Sequence, residues 1–273
     1  MTGPQPQAPA LAGSGAEGDV AGRAAPPTSL WVVRAGTVGY ADSTDAQVAI
    51  AAARAEGAIP DVLILLEHPP VYTRGRAATD EELPLGEDWY AERGVEIHET
   101  NRGGRVTYHG PGQLVAYPIL SLAGRRGDGE SRPFDVVAFI RRIERVTIRS
   151  LADHGVDAKP IKGLTGVWVE DDQPARKIAS IGIRTKGGVT SHGFAINVNN
   201  DLTPFEWIIP CGIDNARVTS LAKELGVEQD FRRFADTVAN RFAEDGNQEI
   251  TEVTVEELIE AVPGAAGLGR RVG

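Results

Sequence analysis

A run of seven residues, Asp61-Val-Leu-Ile-Leu-Leu-Glu67, constrains the fold of this chain more than any other segment. Its central residues are all large and apolar, so it lacks the polar positions that recur every three or four residues in an amphipathic helix. It is also short, and His68-Pro69-Pro70 ends it, because proline has no N–H to contribute to a sheet. We therefore predict a buried β-strand over 61–67.

Other segments carry strand and helix patterns on both sides of this run. Short apolar or alternating segments predict strands at 30–33, 95–99, 114–120, 165–170, 177–185 and 193–198. Alanine-rich or helically periodic segments predict helices at 42–56, 88–93, 231–243 and 255–262, with a long helix from about Pro133 to Gly155. No repeat or linker interrupts residues 30–262. We therefore predict an α+β fold, a single domain with mixed sheets flanked by helices.

The two ends differ from this middle part in composition. Residues 1–28 are rich in Ala, Gly and Pro, and they carry too few large apolar side chains to offset the entropy that ordering would cost. We predict a disordered extension over 1–28, a folded domain over 29–262 and a flexible tail over 263–273. The extension lacks the pattern of a secretory signal, and no apolar run approaches the ~20 residues that cross a bilayer. A cytoplasmic protein without a membrane partner is expected.

Charge and cysteine content exclude several classes of function. The chain carries 38 acidic and 28 basic residues, and the net charge of −10 argues against a whole-domain nucleic-acid binder. Cys211 is the single cysteine, which excludes an intramolecular disulfide framework and zinc sites built on several thiolates. The histidines show no close metal-ligand spacing; they are His68, His98, His109, His154 and His192. We therefore predict no metal site.

The segment Arg102-Gly-Gly-Arg-Val-Thr-Tyr-His-Gly-Pro-Gly-Gln113 is predicted to be a loop and is the most unusual local sequence. Its glycines permit close backbone approach, and Arg102 beside two of them suits an anionic or carbonyl ligand. The spacing matches neither the P-loop nor G-x-G-x-x-G, so a nucleotide site lacks its usual support. The alternative is a hairpin loop with ordinary turn residues.

Cys211 stands in Ile209-Pro-Cys-Gly212, a context that presents a thiol on a turn. A lone cysteine is more often an inert buried residue, whereas a nucleophilic one needs a cation or a base nearby. The candidates for that partner are Lys177, His192 and His109. Lys177 lies in a predicted strand in which it shares a face with Ala179 and Ile181, and the alternative for it is a lysine that extends to solvent from a strand end.

Several of these segments together resemble the lipoyl(octanoyl) transferase family, also called lipoate-protein ligase B. The resemblance rests on Arg-Gly-Gly-x-Val-Thr-Tyr-His-Gly-Pro-Gly-Gln-Leu-Val-x-Tyr-Pro at 102–118, Gly163-Leu-Thr-Gly-Val-Trp-Val169, Lys177-Ile-Ala-Ser-Ile-Gly182, Ser191-His-Gly-Phe-Ala-Ile-Asn197 and Pro210-Cys-Gly212. It spans about residues 30–225, in the family's order. It implies the α+β fold, with a mixed sheet, of the catalytic domain of biotin and lipoate protein ligases.

The resemblance also implies an activity, partners and site residues. Members transfer an octanoyl group from octanoyl-acyl carrier protein to a lysine of lipoyl domains, those of 2-oxoacid dehydrogenase E2 subunits and of the glycine cleavage H protein, and no cofactor is expected. Cys211 takes the role of the acyl-thioester nucleophile and Lys177 that of its partner. The implied substrate contacts are Arg102, Gly103, Gly104, Arg105, Val106, Thr107, Tyr108, His109, Ser180, Ile181, Gly182, Gly193, Phe194 and Ala195.

Three alternatives remain open on sequence. An ATP-dependent lipoate or biotin ligase would share the fold but needs a nucleotide site and no cysteine nucleophile. A non-catalytic acyl-binding protein would not need both Lys177 and Cys211. A Cys-His hydrolase would use His109 or His192 and release free octanoate.

Arg74 departs from the family pattern, since relatives commonly carry an aliphatic residue there. Because both implied partners are typically acidic, we also predict a local positive face on this acidic chain. One candidate cluster is Arg74, Arg76, Arg102 and Arg105, and the other is Arg125, Arg126, Arg141 and Arg142.

Overall fold

A computed structural model of the chain describes residues 28–122, 135–170, 174–209, 217–270 and 272. The predicted N-terminal extension lies almost wholly outside these residues, as does Cys211. The strands are β1 Thr28–Thr37, β2 Asp61–Glu67, β3 Val71–Arg74, β4 Glu96–Glu99, β5 Val106–His109, β6 Gln113–Ile119, β7 Lys159–Ile161, β8 Leu164–Val169, β9 Arg176–Lys186, β10 Val189–Asn197, β11 Arg217–Val218 and β12 Gln248–Glu252. The α-helices are α1 Tyr40–Ala55, α2 Glu87–Ala91, α3 Val136–Asp153, α4 Leu221–Leu225, α5 Phe231–Gly246 and α6 Val255–Ala261.

The larger sheet is mixed and has the strand order β12-β1-β2-β6-β10-β9-β8-β7, with β11 paired to β9. The pairs β12/β1, β1/β2 and β11/β9 are parallel, and β2/β6, β6/β10 and β10/β9 are antiparallel. The predicted strand over 61–67 is confirmed, and its apolar run is buried because β1 and β6 flank it and both faces of the sheet are covered. The predicted α+β fold with mixed sheets and flanking helices is therefore confirmed.

Helices cover the two faces of this sheet. Helices α3 and α5 pack on one face, where Ile143 and Phe234 join the core. Helices α1 and α6 pack on the other face through Ile50 and Leu258. No helix in the described part of the chain is long and apolar enough to cross a membrane.

A smaller sheet, β4-β3-β5, stands beside the larger one and corrects the prediction of a loop over 102–113. The residues Val106–His109 form β5, which pairs antiparallel with β3. Val106, Tyr108 and His109 are buried, and Tyr108 packs at 5.5 Å from Tyr72, ring centre to ring centre. The burial of these side chains holds the segment extended, a tertiary effect that the flanking glycines concealed in the sequence.

The predicted flexible tail over 263–273 is wrong for its first part. Pro263–Gly269 form a 3-10 helix in which Ala265 and Leu268 are buried within the same core cluster as residues of α1. A Cβ atom at Gly267 would lie 2.6 Å from the backbone oxygen of Asp42, so only glycine permits this approach. Small residues, which suggested a loose tail, here allow close packing.

Gly193 allows the central strands β10 and β6 to pair closely. A Cβ atom there would lie 2.0 Å from the backbone oxygen of Ala116 and 2.7 Å from Cδ of Pro118. We expect Gly193→Ala to lower the free energy of unfolding by about 3 kcal/mol, and the melting temperature by roughly 6–12 °C, because the two strands must separate. Thermal unfolding measures this directly.

The matched control is Gly103→Ala, whose Cβ atom would meet nothing closer than the backbone oxygen of Ile183 at 3.5 Å. Its melting temperature should stay near that of the unmodified chain. Equal melting temperatures for both variants would show that the sheet absorbs the methyl group at Gly193.

Candidate active site

A cavity of about 330 Å³ lies between the larger sheet and the glycine-rich segment. This volume falls at the lower end of the range typical of small-molecule sites, about 300–1,000 Å³. Tyr40 of α1 lines the cavity, as do Val115 and Tyr117 of β6. Several residues of the segments 102–109 and 163–168 also line it. Strand β9 contributes Lys177 and Ser180 to Gly182, and β10 contributes His192 to Ala195. Both sheets therefore contribute to one site.

Arg102 is buried in the wall of this cavity, with 7% of its surface exposed. Its Nε and Nη2 donate to Oγ1 of Thr73 at 3.2 and 2.7 Å, and its Nη1 donates to the backbone oxygen of Gly103. A Cβ atom at Gly182 would lie 3.0 Å from Cδ of Arg102, so glycine on β9 makes room for this side chain. The guanidinium thus places a fixed positive charge beside the cavity.

His109 is held in one tautomer by a chain of buried amides. Nδ2 of Asn197 donates to the backbone oxygen of Thr219, and its Oδ1 accepts from Nε2 of Gln113 at 2.9 Å. Oε1 of Gln113 then lies 2.6 Å from Nδ1 of His109. Because this oxygen can only accept, Nδ1 carries the proton and Nε2 is the unprotonated nitrogen.

Burial keeps the histidines of this region neutral. It is the main cause that lowers the pKa of His109 to about 3, with the nearby positive charge of Arg102 acting in the same direction. It also lowers the pKa of His192 to about 4, again with a contribution from Arg102. Neither imidazole is therefore suited to supply a positive charge to a thiolate at neutral pH.

Lys177 lines the cavity from a β-bulge, which corrects the prediction of regular alternation along β9. Val167 pairs with Ala179 whereas Trp168 pairs with Lys177, so Ile178 is an extra residue on β9. Ile178 and Ala179 are in consequence both buried. Bulges commonly redirect a side chain beside an active site.

The side chain of Lys177 occupies a slot on the neighbouring strand β8. Gly166 has φ +127°, and a Cβ atom there would lie 2.8 Å from Cε of Lys177. Nζ of Lys177 lies 5.3 Å from the ring centre of Trp168, within the range of a cation–π interaction. Glycine and tryptophan from the Gly163–Val169 motif therefore shape the surroundings of this amine.

The chain approaches this slot again after residue 216. Val218 of β11 pairs with Lys177, and the N–H of Thr219 donates to the backbone oxygen of Lys177 at 3.0 Å. On the other side, the N–H of Ile209 donates to the backbone oxygen of Glu82 at 3.0 Å. Cys211 lies between these two anchors in sequence and outside the described residues.

The structure brings most of the predicted substrate contacts together around the cavity. Those that line it are Arg102, Gly104, Arg105, Val106, Thr107, His109, Ser180, Ile181, Gly182, Gly193, Phe194 and Ala195. Gly103 is not part of this lining and donates its N–H to the backbone oxygen of Ile183. Tyr108 points instead into the aromatic cluster of the smaller sheet, which contains Tyr72 and Phe205.

Sequence reasoning missed several lining residues: Tyr40, Ala77, Val115, Tyr117, Leu164, Thr165 and Trp168. Leu164, Thr165 and Trp168 belong to the motif at 163–169, and that motif could have identified them as lining residues. Tyr40 begins α1, and no local pattern distinguishes it from other buried residues at a helix start.

The predicted positive face is wrong for several of its arginines. Arg102 is buried, and Arg74 lies 3.0 Å from Glu99 and 3.6 Å from Glu87. Arg105 pairs at 2.8 Å with Glu82, although 41% of its side chain is exposed. In the second cluster, Arg141 pairs with Glu144 and Arg142 with Asp245, while Arg125 and Arg126 lie outside the described residues.

The fold is that of lipoate protein ligases. A bipartite lipoate protein ligase from Thermoplasma acidophilum superposes with a TM-score of 0.66 at 18% identity, covering 91% of this chain and 99% of the other. Lipoate-protein ligase A bound with ATP gives a TM-score of 0.65 at 17% identity, covering 89% and 99%. At such identities the likeness shows the fold alone.

Closer sequence relatives give the family. An octanoyltransferase from Acidobacterium capsulatum is 46% identical over 198 residues, 72% of this chain and 80% of its own length. One from Rhodococcus opacus is 42% identical over 240 residues, 85% and 87% of the two chains. Residues 39–243 match the model of the lipoyl protein ligase A/B catalytic domain, and the chain belongs to this family. The predicted resemblance to octanoyltransferases, and with it the prediction of an acyltransferase, is confirmed.

Proposed function

We propose that the protein transfers an octanoyl group from octanoyl-acyl carrier protein to a lysine of lipoyl domains, through a thioester on Cys211. The observation that carries this proposal is the slot that holds Lys177 at a cavity lined by the family's motifs. The segment that contains Cys211 is anchored on one side directly beside Lys177, through Val218 and Thr219. These contacts support Lys177, rather than a neutral imidazole, as the cation that activates the thiol.

The first half-reaction exchanges one thioester for another. The Cys211 thiolate attacks the carrier thioester, a bond forms from its Sγ to the acyl carbon, and the bond to the carrier sulfur breaks. Lys177 stabilises the thiolate by its charge and gives a proton to the departing carrier thiol.

The second half-reaction forms the product amide. The amine of the acceptor lysine attacks the acyl carbon of the Cys211 thioester, an amide bond forms, and the cysteine sulfur leaves. Lys177, neutral after the first step, accepts the proton that the attacking amine loses, which restores the thiolate and the charged amine with which the cycle began. Because the acyl group arrives already activated, the reaction needs no ATP.

Apolar lining residues suit the acyl chain. Val115, Ile181, Phe194 and Ala195 line the cavity and belong to or pack against the two core clusters of the larger sheet. A saturated chain laid against such walls is removed from water, which is favourable by about 0.8 kcal/mol per buried methylene. The lining therefore agrees with an octanoyl rather than a charged substrate.

Intact mass tests the proposal in one experiment. After mixing with octanoyl carrier protein without ATP, the protein should gain one octanoyl group, and Cys211→Ser should gain none that transfers to a lipoyl domain. Adding a lipoyl domain should discharge the loaded enzyme and modify one lysine.

A second arm replaces octanoyl carrier protein with octanoate, ATP and magnesium. Transfer in this arm as fast as from the carrier, without a covalent intermediate, would place the protein among the ATP-dependent ligases. Release of free octanoate from the loaded enzyme in the presence of lipoyl domain would instead indicate a hydrolase.

A further inference from the structure

A ring of contacts closes around the backbone of Lys177. Where β10 ends, the two-residue strand β11 takes its place beside β9, with Arg217 opposite Arg176 and Val218 opposite Lys177. The N–H of Thr219 then donates to the backbone oxygen of Lys177 at 3.0 Å. Because strands usually have about three to ten residues, one as short as β11 needs support from neighbouring side chains.

Glu224 of α4 supplies this support. Nε and Nη2 of Arg176 donate to its two carboxylate oxygens at 2.9 and 3.0 Å, and such bidentate pairs are among the strong hydrogen bonds of proteins. The hydroxyl of Thr219 donates to Oε1 of the same carboxylate at 2.5 Å. Arg176 is joined covalently to Lys177 and Thr219 is hydrogen-bonded to it, so the carboxylate closes the ring. We call Arg176, Thr219 and Glu224 the clamp.

The clamp is attached to the core of the larger sheet. The side chains of Arg176 and Glu224 are each only 16% exposed, so solvent and salt screen their ion pair less than a pair on the surface. Nδ2 of Asn197 donates to the backbone oxygen of Thr219 at 2.9 Å. Leu221, the first residue of α4, is fully buried in the core cluster under the sheet. The carboxylate is therefore presented from a fixed position.

The clamp lies on the edge of β9 opposite the bulge. On the β8 edge, the pairing is irregular where Ile178 is the extra residue, and a bulge disrupts the ladder of hydrogen bonds locally. The backbone of Lys177 thus receives less support from β8 than a residue in a regular strand would. The contacts from β11 and the clamp fix it from the other edge.

The clamp does not contact the cavity directly. Arg176, Thr219 and Glu224 are not part of the lining, whereas Lys177 is. Successive side chains of a strand leave on opposite faces, so Arg176 extends away from the face that carries the amine of Lys177. Any effect of the clamp on the reaction must therefore pass through Lys177.

We propose that Arg176, Thr219 and Glu224 are positioning residues, which hold the amine of Lys177 where its part in proton transfer requires it. This inference rests on the proposed function, in which Lys177 stabilises the thiolate and moves protons. Such chemistry depends strongly on position, and a displacement of about 1 Å can lower a rate by about 10²-fold. The clamp limits this displacement by tying the backbone on both sides of the lysine carbonyl.

The test begins with Glu224→Ala, which opens the ring. The single-turnover rate of Cys211 acylation by octanoyl carrier protein should fall by about 10- to 10²-fold. The matched control is Asp153→Ala, which removes a bidentate ion pair with Arg241, at 2.6 Å for both bonds, between α3 and α5. Neither partner of that pair lines the cavity, so the acylation rate of this variant should equal that of the parent.

A second background separates positioning from a general effect on the fold. Lys177→Met removes the amine, and Glu224→Ala introduced into that variant should slow acylation no further, because residues that act through one another are not additive. A pair that only stabilises the fold would slow the parent and the Lys177→Met protein by the same factor.

Thr219 gives a milder variant for the case in which Glu224→Ala does not fold. Thr219→Val removes the hydroxyl that reaches Glu224 but keeps the N–H that reaches Lys177, and it should slow acylation only while Lys177 is present. Thr219→Ser keeps the hydroxyl and should retain most of the rate.

Equal slowing in the presence and absence of Lys177 would overturn the positioning role, and so would parent rates in both Glu224→Ala and Thr219→Val. Failure of the proposed function would be seen differently, as no acylation of the unmodified protein by octanoyl carrier protein, and the positioning role would fall with it.

Discussion

Replacement of Lys177 by methionine is expected to lower octanoyl transfer by about 10²- to 10⁴-fold, the usual contribution of a general acid or base. Methionine keeps an unbranched apolar chain in the slot between Gly166 and Trp168 but carries neither charge nor proton. The single-turnover rate of Cys211 acylation measures the loss in the first half-reaction, and discharge to a lipoyl domain measures it in the second.

Lys177→Arg separates charge from proton transfer. Guanidinium keeps the positive charge but does not deprotonate at working pH, so acylation should suffer less than discharge to the acceptor lysine. Melting temperatures of both variants serve as the control for folding. Near-normal turnover of Lys177→Arg in both steps would show that charge alone suffices, and near-normal turnover of Lys177→Met would remove Lys177 from the mechanism.

The second large effect is expected in stability at acidic pH, because His68, His109 and His192 are buried in neutral form. Burial is the main cause that lowers the pKa of His68 and of His192 to about 4 and that of His109 to about 3. In the unfolded chain each binds a proton near pH 6.5. The unfolded state therefore binds more protons than the native state between about pH 6.5 and 4, and acidification favours unfolding.

The expected slope follows from this difference in bound protons. Stability should be unaffected by these groups above pH 6.5 and should fall below it, by up to roughly 1.4 kcal/mol per pH unit for each histidine. Urea unfolding at a series of pH values from 7 to 4.5 measures the slope. His68→Gln should reduce this slope by the contribution of about one bound proton. The change in slope is expected whether or not the variant is less stable at every pH.

His68 is the best test position because both ring nitrogens are engaged inside the fold. Nδ1 lies 2.6 Å from the backbone oxygen of Val38, and Nε2 lies 2.7 Å from the hydroxyl of Tyr117. If the free energy of unfolding of the unmodified protein changes with pH by less than one bound proton would cause, these imidazoles become protonated without unfolding.

Sequence alone was sufficient for elements whose residue pattern is contained within a few neighbouring residues. The apolar run at 61–67 was predictable as a buried strand because period and length distinguish it from a helix. The pair Gly187-Gly188 between two strand patterns is a sequence typical of a hairpin turn, and in the turn between β9 and β10 both glycines adopt positive φ, at 59° and 77°. The family motifs predicted most of the residues that line the cavity.

Other features depended on which segments the sheet order brings together. The strand β5 forms because β3 pairs with it, and that same pairing places Thr73 against Arg102. The bulge at Lys177 arises from the register between β8 and β9, which no property of β9 alone specifies. Arg74 was expected on an open positive face, yet carboxylates from other segments surround it.

The contact between α1 and β10, near Tyr40 and His192, shows the division between sequence and tertiary structure most clearly. Sequence by itself predicted a helix over 42–56 and a strand over 193–198, because alanine content, periodicity and glycine spacing act over a few residues, and residues 40 and 192 lie just before these predicted elements. Only the tertiary structure decided that they meet, since α1 packs on the face of the sheet where β10 lies and Gln47 of the helix accepts the N–H of His192. Such contacts depend on burial and hydrogen bonding between distant segments, and a one-dimensional pattern does not record them.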